Sequence, residues 1–290
     1  MTGTGKRVLL LPEKRRFAGQ QPSTAFSRLG RRFKTEALEP GETHQLQRYF
    51  HPRDAGWPLA ALCRQRESGD AGSEYWLRAD PVFLQVEMRG ARVMAWDGFN
   101  LTESEMHAMT AALQACFADH GIDLLTGSQE TFYLRIRDGI PLPSAVPVTD
   151  MLGCDITGHL PSDRRWMALF NESQIVLHNH PLNVIRQQNG QLPVNGLWFW
   201  GGGIMPSSVE HGFEAVISDD VMVRALSHQM SPGQGSDALC DMRHLRSWPE
   251  IEVGFDPAIK TLFDFADGTR WHWQPEWQWH FWKRKSIPVF

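Results

Sequence analysis

Apolar positions along this chain change period repeatedly, and the changes predict strands alternating with helices. Val8 to Leu11 is a short apolar run before Pro12 and reads as one strand. The rest of 1–74 is poorly patterned: a basic KRR at 14–16, FSRLGRRF with RRF at 31–33 as a solvated basic face, then the loop-like EPGETH. From Tyr75 the pattern sharpens. Trp76 to Met88 predicts strand content interrupted at Pro81, and Arg92 to Trp96 a second strand able to pair with it. Thr102-x-x-Glu105 is a capping box, after which Met106, Met109, Leu113, Cys116 and Phe117 recur at helical spacing up to Gly121. Thr131 to Arg137 alternates as a strand and runs into the extended, Pro-rich PLPSAVPVTD. Ser162 then suits the cap of a helix from Asp163 to about Asn179, with Trp166, Leu169, Phe170, Ser173 and Leu177 on one face.

Residues 178–203, HNHPLNVIRQQNGQLPVNGLWFWGGG, concentrate polar and glycine residues more than packing alone requires. Pro181 fits a first helical turn and Gly190 the position after a helix end. Val194 to Trp200 predicts a buried strand, and Gly201, Gly202 and Gly203 a bare-backbone loop beyond it. Further on come a strand at Ala215 to Ile217, a helix over Asp219 to His228, the linker SPGQGS, and KTLFDF and TRWHW joined as a hairpin at Asp267-Gly268. The alternation predicts an α/β fold, with α+β also compatible: a mixed sheet with flanking helices and a C-terminal appendix rich in β-hairpin. The expected divisions are an N-terminal region at 1–74, a main α/β domain at 75–230 and a Trp-rich appendix at 237–290.

Composition narrows the function classes. The chain has 290 residues, 29 basic against 33 acidic side chains and 12 Trp. This balance gives no overall pull towards nucleic acid or anionic membranes. Four cysteines without C-x-x-C spacing, and no long apolar run, lead us to expect reduced thiols in a cytoplasmic protein with no membrane partner.

Candidate chemistry centres on Asn183, Arg186, Asn195 and the Gly201, Gly202, Gly203 backbone, which together would suit a small phosphorylated or carboxylate metabolite. The other reading is that Arg186 and Asn195 bridge buried carbonyls and the glycines serve a tight turn. Arg78 and Arg135, each on an apolar strand, point either into the same pocket or out to solvent. His178-x-His180 and Asp119-His120-Gly121 fit helix ends better than metal sites, so no metal ligand and no cofactor is expected. The run WQWHFWKRKSIPVF at 277–290 suits packing or a protein partner, and overall acidity argues against nucleic acid.

Several of these stretches carry a family likeness. Ile175 to Gly203, with its HPLN, Arg186, Gly190, Asn195 and WFWGGG, resembles the corresponding stretch of archaeal-type cofactor-independent phosphoglycerate mutases, of the alkaline phosphatase superfamily. YWLRAD at 75–80, LTESEMHAMTAAL, TFYLRI, DITG at 155–158 and VISDDVMVRAL at 216–226 follow in the same order as in those enzymes. The likeness covers roughly 75–228, the domain inserted into the phosphatase core. The whole chain also resembles a proteobacterial family labelled either as phosphoglycerate mutase or as RpfE-type regulatory protein. The resemblance implies two divalent metals (Mn, Mg or Zn) held by Asp and His of the phosphatase core, with a Ser or Thr nucleophile. Here Pro12-Glu13 follows the first strand where an Asp is expected, and Cys154 precedes Asp155 where the mutases carry His. We therefore expect a non-catalytic regulatory or binding protein, with a metal-dependent mutase and an interaction module as the alternatives.

Overall fold

The computed structural model describes residues 5–30, 32–88, 90–128, 130–137, 140–228 and 236–275. In chain order they form β1 (Lys6–Leu11), α1 (Thr24–Gly30), β2 (Lys34–Ala37), α2 (Glu42–Gln47), β3 (His51–Pro52), α3 (Leu59–Ser68), β4 (Tyr75–Glu87) and β5 (Gly90–Ala95). Next come α4 (Glu103–Ala118), β6 (Ile122–Thr126), β7 (Phe132–Ile136), α5 (Arg164–His178), α6 (Pro181–Gln188) and β8 (Gly196–Gly203). β9 (Val209–Glu210), β10 (Ala215–Ile217), α7 (Val221–His228), β11 (Ala238–Asp241), α8 (Trp248–Val253), β12 (Lys260–Phe265) and β13 (Thr269–Trp273) complete the set. The mixed α/β class expected from the alternation is what the chain adopts. The aromatic run at 277–290 and most of the linker at 231–236 lie outside the described residues. Among those described, no helix is long and apolar enough to cross a membrane.

Two compact units result, one of 1–45, 212–219 and 232–290, the other of 46–211 and 220–231. The first is built on a sheet of order β10-β11-β1-β12-β13-β2, parallel from β10 to β12 and antiparallel beyond. β1 lies between β11 and β12, so the start of the chain and the segment from 237 share one sheet. Alternation along β1 sends Leu9 and Leu11 to one face, where they meet Phe263, Phe265, Phe26 of α1 and Trp248 and Ile251 of α8. The hairpin at Asp267-Gly268 forms as its sequence predicts. Gly268 has φ +80°, and an added Cβ would lie 2.2 Å from the Leu38 carbonyl oxygen, so glycine is required there.

The second unit holds a sheet in which the long β4 is the hub. On one side β4 pairs with β7 through its first half and with β5 through its second; β8 runs along it as well, and β6 extends β7. Pro81 does not interrupt β4. It falls after the β7 pairing ends at Ala79 and before the β5 pairing begins at Phe83. The Val82 carbonyl accepts from Asn195 N–H on the β8 side, so the nitrogen of Pro81 faces the gap, where no ladder bond is lost.

The helices follow their end signals. Thr102 and Glu105 form the reciprocal capping box of α4, and Asp119 and Gly121 close it. α5 is capped by Asp163 rather than Ser162, its carboxylate accepting from Arg165 and Trp166 N–H. Its buried residues are Trp166, Leu169, Phe170, Ser173 and Leu177, the face read from the spacing. His178 ends α5 and His180 caps α6, its Nδ1 accepting from Leu182 N–H at 3.2 Å.

Candidate functional site

Of the residues expected to bind an anion, Asn183, Arg186 and Asn195 lie before the start of β8 and the three glycines at its opposite end, where Gly203 pairs with Trp76, and the polar side chains serve the fold. Arg186 is completely buried. Its Nε donates to the Leu192 carbonyl at 2.8 Å, Nη1 to Glu105 Oε1 at 2.8 Å and Nη2 to the Phe99 carbonyl at 2.6 Å. It thereby ties α6 to the capping box of α4. Burial would push the Glu105 carboxyl up, but the Thr102 N–H and the Arg186 guanidinium hold it below the usual carboxylate range. Asn183 clamps the turn after α6: Nδ2 donates to the Leu177 and Val194 carbonyls, and Oδ1 accepts from Val194 N–H. The Asn195 amide pairs with both backbone groups of Leu84, Oδ1 accepting at 2.7 Å and Nδ2 donating at 2.8 Å, and so continues the β4–β8 ladder through a side chain.

The triple glycine is part of β8, not a loop beyond it, because its backbone runs against packed neighbours. An added Cβ would stand 2.6 Å from Pro58 Cβ at Gly203, 2.9 Å from Leu77 Cδ1 at Gly202 and 3.4 Å from Leu59 Cβ at Gly201. Close approach of Pro58 at Gly203, of the Leu77 and Leu142 side chains at Gly202, and φ +68° at Gly201 favour glycine at the three positions. The side-chain hydrogen-bonding groups of Asn183, Arg186 and Asn195 are thus taken up within the fold. What they do is the bridging of buried carbonyls that the sequence equally allowed.

The cleft of the second unit lies elsewhere. A cavity of about 390 Å3 is lined by Arg78, Asp80, Trp96, Asp97, Gly98, Glu130, Thr131, Asp220, Val221 and Met222. Of the two strand arginines, Arg135 points outward and pairs with Asp123, while Arg78 is buried under the cleft. Its Nε and Nη2 donate to the two oxygens of Asp80 at 3.1 and 2.8 Å, and Nη2 also donates to Thr131 Oγ1 at 3.0 Å. Trp200 Nε1–H donates to Asp80 Oδ2. The guanidinium carbon sits 5.4 Å from the Trp200 ring centre and 5.9 Å from that of Tyr133. Burial alone would lower the pKa of Arg78, yet the Asp80 carboxylate beside it holds that pKa above the ordinary value. Close by, burial pushes the Cys63 thiol up to about 12 and raises the Tyr133 phenol, whose hydroxyl donates to Glu67. On the rim, Glu130 (φ +61°) accepts from the Phe99 and Leu101 N–H groups, and Asp220 caps α7 by accepting from Val223 N–H. The sequence offered one signal for this site, the single Arg in the apolar run of YWLRAD. Asp97, Glu130 and Asp220 carry no local motif.

The first unit provides the test of the two-metal centre that the resemblance implies. At the carboxyl ends of its parallel strands Asp241 is paired with Arg243 and Asp264 with Arg270, while Glu13 after β1 is paired with Arg15. Among the described residues no group of three or more His, Cys, Asp or Glu is arranged to hold a metal ion. This donor set does not fit two divalent cations, which need several convergent unpaired ligands.

No protein-family model matches the chain. Similarity to known proteins is partial. A Methanothermobacter thermautotrophicus 2,3-bisphosphoglycerate-independent phosphoglycerate mutase 2 is 35% identical over 167 residues, 56% of this chain and 39% of that protein. The "Probable 2,3-bisphosphoglycerate-independent phosphoglycerate mutase" of Geobacter sulfurreducens is 30% identical over 153 residues, 51% of this chain and 38% of that protein. The chain thus spans about two-fifths of the length of these relatives. Among solved structures, a cofactor-independent phosphoglycerate mutase from Thermoplasma acidophilum aligns over 93% of this chain and 90% of its own, with TM-score 0.37 and 14% identity. A Pyrococcus horikoshii protein aligns over 93% and 87%, with TM-score 0.42 and 10% identity. About half of this chain is therefore related in sequence to cofactor-independent phosphoglycerate mutases.

Proposed function

We propose that this chain is a non-catalytic binding protein of phosphoglycerate mutase ancestry, holding a small polar metabolite in the Arg78–Asp80 cleft. The observation that carries the reading is the cleft floor. A buried Arg–Asp pair, hydrogen-bonded through Nε and Nη2 of Arg78, is costly to desolvate and contributes little net stability, so its position beneath a cavity large enough for a small ligand favours a binding role. The lining sets Arg78 against Asp80, Asp97, Glu130 and Asp220. Asp80 already neutralises Arg78, so the exposed walls favour a ligand presenting hydroxyl or ammonium groups. A phosphate or carboxylate, such as the names of the relatives suggest, would have to displace Asp80 from the guanidinium. The arginine-paired carboxylates of the first unit support the non-catalytic half of the reading.

Thermal unfolding with single probes tests this, because a ligand held by the folded state raises the midpoint by mass action. Putrescine should raise the midpoint of the wild type and not of Asp97→Asn, whereas 3-phosphoglycerate in EDTA should leave it unmoved. A rise with 3-phosphoglycerate that persists in EDTA would assign the cleft to an anion instead. A rise that requires manganese would return the enzyme reading.

A further inference from the structure

Strand register brings two buried carboxylates into one row in the first unit. Leu10 of β1 pairs with Asp241 of β11 on one side and with Asp264 of β12 on the other, so both carboxylates leave the same face of the sheet near its carboxyl edge. Asp264 is 0% exposed and Asp241 is 9% exposed. Open parallel sheets present their ligands at this edge, and two buried, uncompensated carboxylates there would destabilise the fold unless a cation met them. The chain supplies those cations itself. Arg243 Nε and Nη2 donate to Asp241 Oδ1 and Oδ2 at 2.9 and 2.8 Å, and Nη1 reaches Glu42 Oε2 at 3.3 Å. The Ser218 hydroxyl donates to Asp241 Oδ2 at 2.8 Å. Arg270 Nε and Nη2 donate to Asp264 Oδ2 at 3.1 and 2.7 Å, with Glu36 on its far side.

We propose that Arg243 is a built-in counter-cation, held between the carboxylates of Asp241 and Glu42 with the Ser218 hydroxyl on Asp241, and that it closes this edge to divalent metals. The cluster becomes a weak divalent-cation site only when the guanidinium is removed. Two carboxylates, a hydroxyl and water would then offer an all-oxygen set of the kind Mn2+ or Ca2+ accepts. The Arg270 pair is completed by Glu36, and the prediction concerns Arg243.

Mn2+ titrated into the wild type and followed by electron paramagnetic resonance should stay unbound at this edge. Bound Mn2+ that disappears in Asp241→Asn would overturn the proposal. In Arg243→Ala the thermal midpoint in EDTA should fall by roughly 10 °C, as expected for breaking a buried ion pair. Added Mn2+ should recover part of that loss, and the recovery should vanish in the Arg243→Ala/Asp241→Asn double variant. A folded Arg243→Ala protein indifferent to Mn2+ would also refute it. Should that variant not fold, Arg243→Ser, which keeps a small hydroxyl at the position, gives the same comparison, and the wild-type titration stands by itself.

Discussion

Replacing Arg186 by Met separates a structural tie from a ligand site. Met fills most of the aliphatic volume but removes three donors, leaving the Leu192 and Phe99 carbonyls without them and Glu105 without its cationic partner. Breaking a buried charged pair costs about 3–5 kcal/mol, and each orphaned buried carbonyl about 1–3 kcal/mol. Glu105 is still held by Thr102, and relaxation lets water reach some of these groups, so the contributions do not add in full. We expect a loss of about 4 kcal/mol, which in a unit of this size lowers the melting midpoint by roughly 10 °C. Urea unfolding at neutral pH, followed by tryptophan fluorescence, measures it directly, since Trp198 and Trp200 are buried on β8. A loss under about 1 kcal/mol would mean that Arg186 does not tie α6 to α4, and the anion-pocket reading would return.

Other consequences are as direct. Gly203→Ala forces a Cβ to within 2.6 Å of Pro58 and should cost about 1–3 kcal/mol, measured by the same urea transition; an unchanged midpoint would mean that α3 does not press on β8. Asn195→Asp turns a donor into an acceptor facing the Leu84 carbonyl and should cost about 1–3 kcal/mol, whereas Asn195→Gln retains the chemistry and loses only the fit. The Cys63 thiol, pushed up to about 12 by burial, should resist a disulfide reagent at pH 8 until the protein unfolds; reaction in the folded state would refute its placement. Burial opposes the shift in both Glu105 and Asp241, but hydrogen bonding and their arginines hold both below their ordinary values of 4.5 and 3.8. Depressed carboxyls contribute stability that is complete above the unfolded-state values and is lost as pH falls through the folded ones. Urea midpoints should therefore be unaffected by these two groups at neutral pH and should decline below about pH 4.5; a contribution that instead grew on acidification would contradict the pairing.

Local rules made much of the fold legible. The capping box of α4, the buried face of α5, Pro181 and Gly190 around α6 and the Asp-Gly hairpin are all set by residues within one or two turns of each other. Long-range pairing was not legible. Val8 to Leu11 reads as a strand, but nothing near it says that its neighbours begin at Ala238 and Lys260. Pro81 was misread because whether a missing N–H matters depends on which strand lies beside it. The roles of the candidate site residues depend on distant partners in the same way. Arg186, Asn183 and Asn195 look like binding groups because their partners, Glu105, Phe99, Leu177 and Leu84, lie outside the motif, and the glycines look exposed because Pro58 is far away in sequence. Asp97, Glu130 and Asp220 meet at the cleft only through the sheet and α7.

The proposal tested most directly is that this chain, similar over about half its length to phosphoglycerate mutases, does not carry out their reaction. The direct measurement is phosphorus NMR of 3-phosphoglycerate incubated with the purified protein and manganese. The account predicts that no 2-phosphoglycerate forms above the level without protein. Formation of 2-phosphoglycerate that depends on both the protein and manganese would contradict it.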